Sequence, residues 1–161
     1  MISKEQSPII KIVDYLPKYK TAFRELNENW ITRYFEMEED DYKTLDHPEV
    51  IIDNGGKIFV ALLNEEPVGV CALKPTIMPG YDFEVSKMAV SPSAQGRGIG
   101  YLLGQAIIKS AKELGASKIY LEGNTLLEAS IRLYRKLGFQ QMPIQASHYK
   151  RVNIQMELSL N

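Results

Sequence analysis

Cysteine is almost absent from this chain. Cys71 is the only one, which excludes an intrachain disulfide and suits a reducing compartment. It lies in "VGVCAL" with no histidine near it in sequence, so it reads as a small buried hydrophobe rather than a nucleophile. Histidine is scarce as well: His47 and His148, beside a single cysteine, are too few for a zinc site, and no metal is expected. Neither sign of charge prevails. Nineteen Lys and Arg against 20 Asp and Glu leave a formal net charge of −1, which offers no electrostatic reason to expect nucleic acid or an acidic membrane as partner. No apolar run approaches the roughly 20 residues of a membrane span. The opening "MISKEQSPIIKIVDYL" has no apolar stretch long enough for a signal peptide, so a cytoplasmic location is expected. Repeats, low-complexity tracts and linkers are missing too. The 161 residues, 45% hydrophobic and 24% charged, therefore read as a single domain, 1–161, able to bury its own core.

What is present is a regular alternation of element signals. "PIIKIVDY" reads as a strand ended by Pro17. Tyr19, Phe23, Leu26, Trp30 and Tyr34 recur at three- and four-residue spacing, the mark of an amphipathic helix over 18–34. The acidic stretch 35–56 predicts one or two short helices closing at Gly55-Gly56, and its "EMEEDD" run reads most simply as a solvated charge cluster. "KIFVALLN" and "PVGVCALKP" form a predicted hairpin, and "YDFEVSKMAV" a further strand closed by Pro92. A helix from about Gly98 to Leu114 places Ile99, Leu102, Leu103, Ala106, Ile107, Ala111 and Leu114 on one face, with Gly115 as its stop. "SKIYLEGN" is a strand, "TLLE" a capping box from Thr125 to Glu128, and the helix it opens ends at Gly138. "FQQMPI" and "YKRVNIQMELSL" supply the last strands. This order predicts an α/β (α+β) domain around a mainly antiparallel sheet, with one βαβ unit.

Three glycines sit at the mouth of the helix in that unit, in "QGRGIG". Glycine lets a backbone approach a ligand and adopt positive φ, and a helix N-terminus offers free N–H groups to an anion. Two nucleotide cradles fail on spacing. No Lys-Ser or Lys-Thr follows the glycines, and a G-x-G-x-x-G match would need glycine at Tyr101 or Leu103. A Gly-rich turn into a tightly packed helix remains the plain structural alternative. The pattern that does fit is Q-x-x-G-x-G, on Gln95, Gly98 and Gly100. Downstream, "NTLLEASIRLYRKLGF" ends in L-Y-x-x-x-G-F. In these two motifs, in this order, the chain resembles the GNAT superfamily of N-acetyltransferases. The resemblance covers about residues 57–139, and the first 56 match in general layout only.

The resemblance implies a six- to seven-stranded sheet with about four helices, splayed at its central strands, and acetyl-CoA as donor. It places the pyrophosphate on the amides from Gln95 through Gly96, Arg97, Gly98 and Ile99 to Gly100, with Arg97 adding charge. It pairs the pantetheine arm with backbone groups of Met88 and Val90, and polarises the carbonyl with an N–H near Met88 or Ala89. It makes Tyr134 the general acid, since a phenol with a pKa of about 10 is protonated at neutral pH. Periodicity by itself would make Tyr134 a core aromatic beside Ile131 and Leu137. Glu84 stands eleven residues before Gln95, the offset of the glutamate base in the histone-acetylating branch. On a regular strand 84, 86, 88 and 90 share a face. Glu84 is thus the candidate base, or an orienting contact for the substrate ammonium. Asn124 is either a turn residue or a pantetheine contact; where many family members carry asparagine seven residues before the tyrosine, this chain has Leu127.

The acceptor belongs to the least similar part of the chain. Trp30, Arg33, Tyr34, Tyr149, Arg151 and Asn153 are candidate lining residues. Arg33 or Arg151 would suit a carboxylate-bearing amine, and the acidic run a polyamine or basic peptide. The function implied is direct acetyl transfer to a primary amine of a small molecule or peptide, by a monomer or homodimer. A non-catalytic acyl-CoA sensor is the alternative, and the presence of both Glu84 and Tyr134 argues against it.

Overall fold

The computed structural model describes residues 8–161; residues 1–7, on which the reading of the N-terminus partly rests, lie outside it. In chain order the elements are β1 (Ile10–Asp14), α1 (Lys20–Tyr34), α2 (Glu39–Asp46), α3 (Glu49–Asp53), β2 (Lys57–Leu63), β3 (Glu66–Pro75), β4 (Phe83–Val90), α4 (Ile99–Glu113), β5 (Lys118–Gly123), α5 (Glu128–Leu137), β6 (Gln140–Gln141) and β7 (Ile154–Ser159). The seven strands make one sheet in the order β1-β2-β3-β4-β5-β7-β6. Only β4 and β5 run parallel, joined through α4. The expected mixed α/β sheet is therefore present, with five α-helices among the described residues where about four were implied. β6 is shorter than "FQQMPI" suggested, because Pro143 has no N–H to extend the ladder.

Each face of the sheet carries its own core. Leu73, Val85, Ile119 and Leu121 pack against Leu103 and Ile107 of α4 and Ile131 of α5. On the other face Val60, Val70, Ala72 and Ala89 meet Phe23 of α1, Leu45 of α2 and Ile51 of α3. A fully buried side chain such as Phe23 contributes about 1.5–3 kcal/mol. Two helical faces differ from the expected ones. In α1 the buried stripe is Phe23, Asn27 and Ile31, which leaves Trp30 and Tyr34 on its flank. In α4 Leu102 and Leu114 are exposed, and Gly104 and Ser110 take buried places instead.

Two irregularities create the site. First, β4 and β5 pair over only three positions, Phe83↔Ile119, Glu84↔Tyr120 and Val85↔Leu121. β3 continues along β4 to Val90, while β7 continues along β5 to Gly123. Beyond Val85 the two central strands part, as the resemblance implied. Second, the β3–β4 register slips between Val70 and Ala72, and Lys87 sits at φ +53°. This bulge turns the strand over. Val85 lies in the α4 core and Ala89, four residues on, in the α1 core. The shared face expected for 84, 86, 88 and 90 is thereby lost: Met88 and Val90 pack toward α4, on the side opposite Glu84.

The predicted capping box at Thr125 does not form. α5 begins at Glu128, with Leu127 as its cap residue. A tertiary partner has taken the groups the box needs: Thr125 N–H donates to Asn153 Oδ1 at 2.9 Å, and Asn153 Nδ2 donates to Thr125 Oγ1 at 3.1 Å. Asn153 thus holds this turn and lies outside the cavity lining, contrary to its expected place around the acceptor.

Candidate active site

A cavity of about 780 Å³ opens where β4 and β5 part. Its walls are β4, the start of α4, α5, the end of β5, the last turn of α1, and residues 149–152.

One end is built mainly of backbone. Gly96 and Gly98 have φ of +80° and +77°, and Gly98 is the N-cap of α4. A Cβ at either position would meet nothing within 4 Å, so conformation, not crowding, demands glycine there. Gly100 has a different reason. A Cβ on it would lie 2.9 Å from Leu133 Cδ2, and one on Gly104 only 2.4 Å from Leu137 Cδ1. These two glycines, one turn apart, let α4 lie close against α5. The three glycines thus have two reasons, positive φ at Gly96 and Gly98 and helix packing at Gly100. Gln95 Nε2 donates to Val90 O at 3.3 Å and ties the loop to the strand. The first-turn N–H groups of α4 have no partner within the helix and carry its positive dipole end. Arg97 is exposed and outside the lining, and Ile99, at 2% exposure, is mainly core.

Met88, Ala89 and Val90 line the cavity along the edge of β4 that β5 leaves unpaired. A backbone edge leading to an anion-binding helix start suits a long ligand with amide groups along its arm and phosphates at its end. These residues fit acetyl-CoA. Among the described residues no cluster of three or more His, Cys, Asp or Glu could hold a metal.

Two titratable groups flank the middle. Glu84 accepts a hydrogen bond from Tyr120 Oη at 3.1 Å, and Tyr120 in turn meets Thr76 Oγ1 at 3.2 Å. Burial, helped by the charge of Glu122, raises the Glu84 carboxyl above the ordinary glutamate range. Glu122 also lines the cavity and accepts from Gln155 Nε2 at 2.7 Å. Sequence reasoning missed it, although the same "YLEGN" supplied Asn124. Tyr134 on α5 also lines the cavity, edge-on to Phe139 with centroids 6.4 Å apart. Burial pushes its phenol well up, so it keeps its proton at neutral pH. Cys71 is fully buried and its thiol is pushed up by desolvation, as its apolar context suggested. Asn124 lines the cavity, but its side chain is a brace. Nδ2 donates to Arg151 O at 2.7 Å, and Oδ1 accepts from Leu126 N–H at 2.8 Å.

The other end is built of side chains. Trp30 and Tyr34 line it, whereas Arg33 is exposed, stacked over Tyr34 and outside the lining. Arg151 reaches it but is already engaged. Its Nη1 and Nη2 donate to the two oxygens of Asp41 at 2.7 and 2.6 Å. Lys87 Nζ donates to Asp41 Oδ1 at 2.6 Å and to Tyr149 Oη at 3.3 Å. Burial works to raise the Asp41 carboxyl, but the Arg151 hydrogen bonds and the Lys87 charge outweigh it and hold the pKa at about 2. The "EMEEDD" run is therefore only partly solvated. Its last residue, Asp41, has 0% exposure, and Glu38 and Asp41 form the capping box of α2. The bulge that aims Lys87 leaves no mark in local sequence.

A parallel β4–β5 pair thus opens over a glycine-turned helix, with a carboxylate and a phenol both lining the gap. Residues 20–139 match the model of the acetyltransferase (GNAT) family, and the chain belongs to that family. The class that this membership gives is acetyltransferase. An N-alpha-acetyltransferase RimI from Mycobacterium tuberculosis is 35% identical over 72 residues, 45% of this chain and 44% of that protein. The chain accordingly spans less than half of that relative's length. Among solved structures, a GNAT-family acetyltransferase from Staphylococcus aureus MU50 superposes with a TM-score of 0.84 at 22% identity, covering 95% of this chain and 100% of that one. The yncA protein of Salmonella typhimurium, solved with acetyl-CoA, gives 0.78 at 21% identity over 94% of each chain. No helix of the described residues is long and apolar enough to cross a membrane.

Proposed function

We propose that the chain transfers the acetyl group of acetyl-CoA to a primary amine by direct attack, with both substrates bound together. The observation that carries this reading is the presence of a raised carboxyl, Glu84, and a protonated buried phenol, Tyr134, in the lining of one cavity. Acetyl-CoA supplies an activated acyl carbon. An alkylammonium with a pKa of about 10.4 must lose a proton before it can attack. Glu84 receives that proton directly or through water, and its raised pKa brings it closer to the pH at which it works. The N–H groups beside the bulge at Met88 and Ala89 stabilise charge on the carbonyl oxygen; one such donor is worth about 2.7–4 kcal/mol. Tyr134 donates its proton to the departing sulfur. Gly96, Gly98 and the first turn of α4 hold the phosphates, and the free edge of β4 aligns the arm.

The test is thiol release from acetyl-CoA with a panel of amines. Turnover is expected with at least one amine, and Tyr134→Phe should lower it about 10²-fold with acetyl-CoA affinity unchanged. Tight acetyl-CoA binding with no turnover on any amine would replace this reading with the sensor.

A further inference from the structure

Glu38 and Asp41 at the acceptor end, with Glu84 and Glu122 beside it in the middle of the cavity, set four carboxylates against two cations, Lys87 and Arg151. Lys74 acts on Glu84 from outside the cavity lining. The cations are engaged as well as outnumbered. Their side chains are 4% and 10% exposed, and both are held by Asp41, with Glu38 a second partner of Arg151 at 3.4 Å. The guanidinium fork that could grip a carboxylate already grips one. An amine carrying a carboxylate would have to displace Asp41 and then face Glu84 and Glu122. A plain ammonium meets an excess of negative charge, and Trp30, packed edge-on to Phe35 at 6.5 Å and 5.7 Å from the Arg151 guanidinium, supplies an aromatic wall for its apolar body.

We propose that Asp41 sets the acceptor class: by occupying Lys87 and Arg151 it makes this end a site for cationic amines with no carboxylate beside the amino group, and it excludes free amino acids. The proposal rests on the acetyl-transfer reading above, and it reverses the role first assigned to Arg151. Asp41 is a positioning residue, acting through the two cations.

The experiment compares matched acceptors with the purified full chain. Each of several alkyl-, arylalkyl- and polyamines is paired with its α-carboxylated counterpart and with the amide of that counterpart, which keeps the bulk and removes the charge. The plain amine and the amide should exceed the carboxylated member at least about 10-fold in kcat/KM. In Asp41→Asn the ratio should fall toward one, with the KM of the carboxylated member dropping; a merely structural lesion would slow all three together. Glu38→Gln keeps an oxygen for the α2 cap while withdrawing one charge from Arg151. It should shift the same ratio about 2- to 3-fold in the same direction, and it serves if Asp41→Asn does not fold. Carboxylated acceptors used as well as plain ones by the unaltered protein, or a ratio that neither substitution moves, would overturn the proposal. Acetyl-CoA binding without turnover on any acceptor would instead overturn the acetyl-transfer reading beneath it.

Discussion

At one end of the cavity Gly96, Gly98 and the first turn of α4 come from a handful of consecutive residues, whereas at the other Asp41, Lys87, Tyr149 and Arg151 arrive from α2, β4 and the segment before β7. The first end works through the backbone and needs only a turn that allows positive φ followed by a helix. The second works through side chains and needs three separate elements to close on one buried carboxylate. A backbone site can be written in a local motif, and a side-chain site of this kind cannot. The difference also bears on how each end tolerates change, and four substitutions put that to the test.

The largest effect falls on the side-chain end. Asp41→Ala leaves two buried cations without their shared partner, a loss of about 3–5 kcal/mol, measurable by denaturant unfolding at neutral pH. The same carboxylate gives a pH signature. Its pKa is depressed in the fold, to about 2 from 3.8, so its contribution is complete above about pH 4 and lost as pH falls toward 2. The unaltered protein should therefore lose stability over that window more steeply than Asp41→Ala does.

Next comes the packing of the backbone end. Gly104→Ala drives a methyl into the branched head of Leu137, and overpacking of this kind costs about 1–3 kcal/mol. Gly98→Ala has open space but an unfavourable φ, and should cost about 1 kcal/mol while weakening acetyl-CoA binding more than Gly104→Ala does. Melting temperature and binding affinity, measured together on both variants, separate the two roles of glycine. If Gly98→Ala left binding intact, the loop would lose its assignment as the anion cradle.

The smallest effect on stability, and opposite in sign, belongs to Glu84→Gln. Glu84 has a raised pKa in the fold, so its ionisation is harder there than in the unfolded chain, and stability declines as pH rises between those two values. Removing the charge should leave the melting temperature equal or slightly higher at pH 7, with the difference vanishing once the carboxyl is protonated in both states. Turnover should drop in the same variant, and in the unaltered enzyme the acid limb of the rate profile should lie above the range of an ordinary glutamate. A clear loss of stability at pH 7 would mark Glu84 as structural.

Much of the fold was legible because it is written in periodicity. The β2–β3 hairpin, the amphipathic α1, and the strand–glycine–helix run of β4 and α4 all follow from short-range patterns of apolar residues and turns. The loop glycines and Tyr134 were legible for the same reason, each standing at a fixed offset within one motif. Where the sequence reading failed, a distant group had intervened. Asn153 displaced the Thr125 capping box, and the Lys87 bulge separated Glu84 from the face of Met88 and Val90. Arg151 was singled out correctly as a lining residue, but the carboxylate it holds is internal. Asp41 and Glu122 were overlooked, since nothing in a run of acids or a strand end announces which member will be buried.

The sequence by itself determined an acetyltransferase frame: the order of strands and helices, the glycine turn before α4, and the phenol on α5. Those features depend on backbone conformation and on spacing within a few turns, which neighbouring residues dictate. Only the tertiary structure decided how charge is distributed at the side-chain end of the cavity. That outcome turns on which carboxylate loses its water and which cations come to replace it, and burial is a property of the assembled chain.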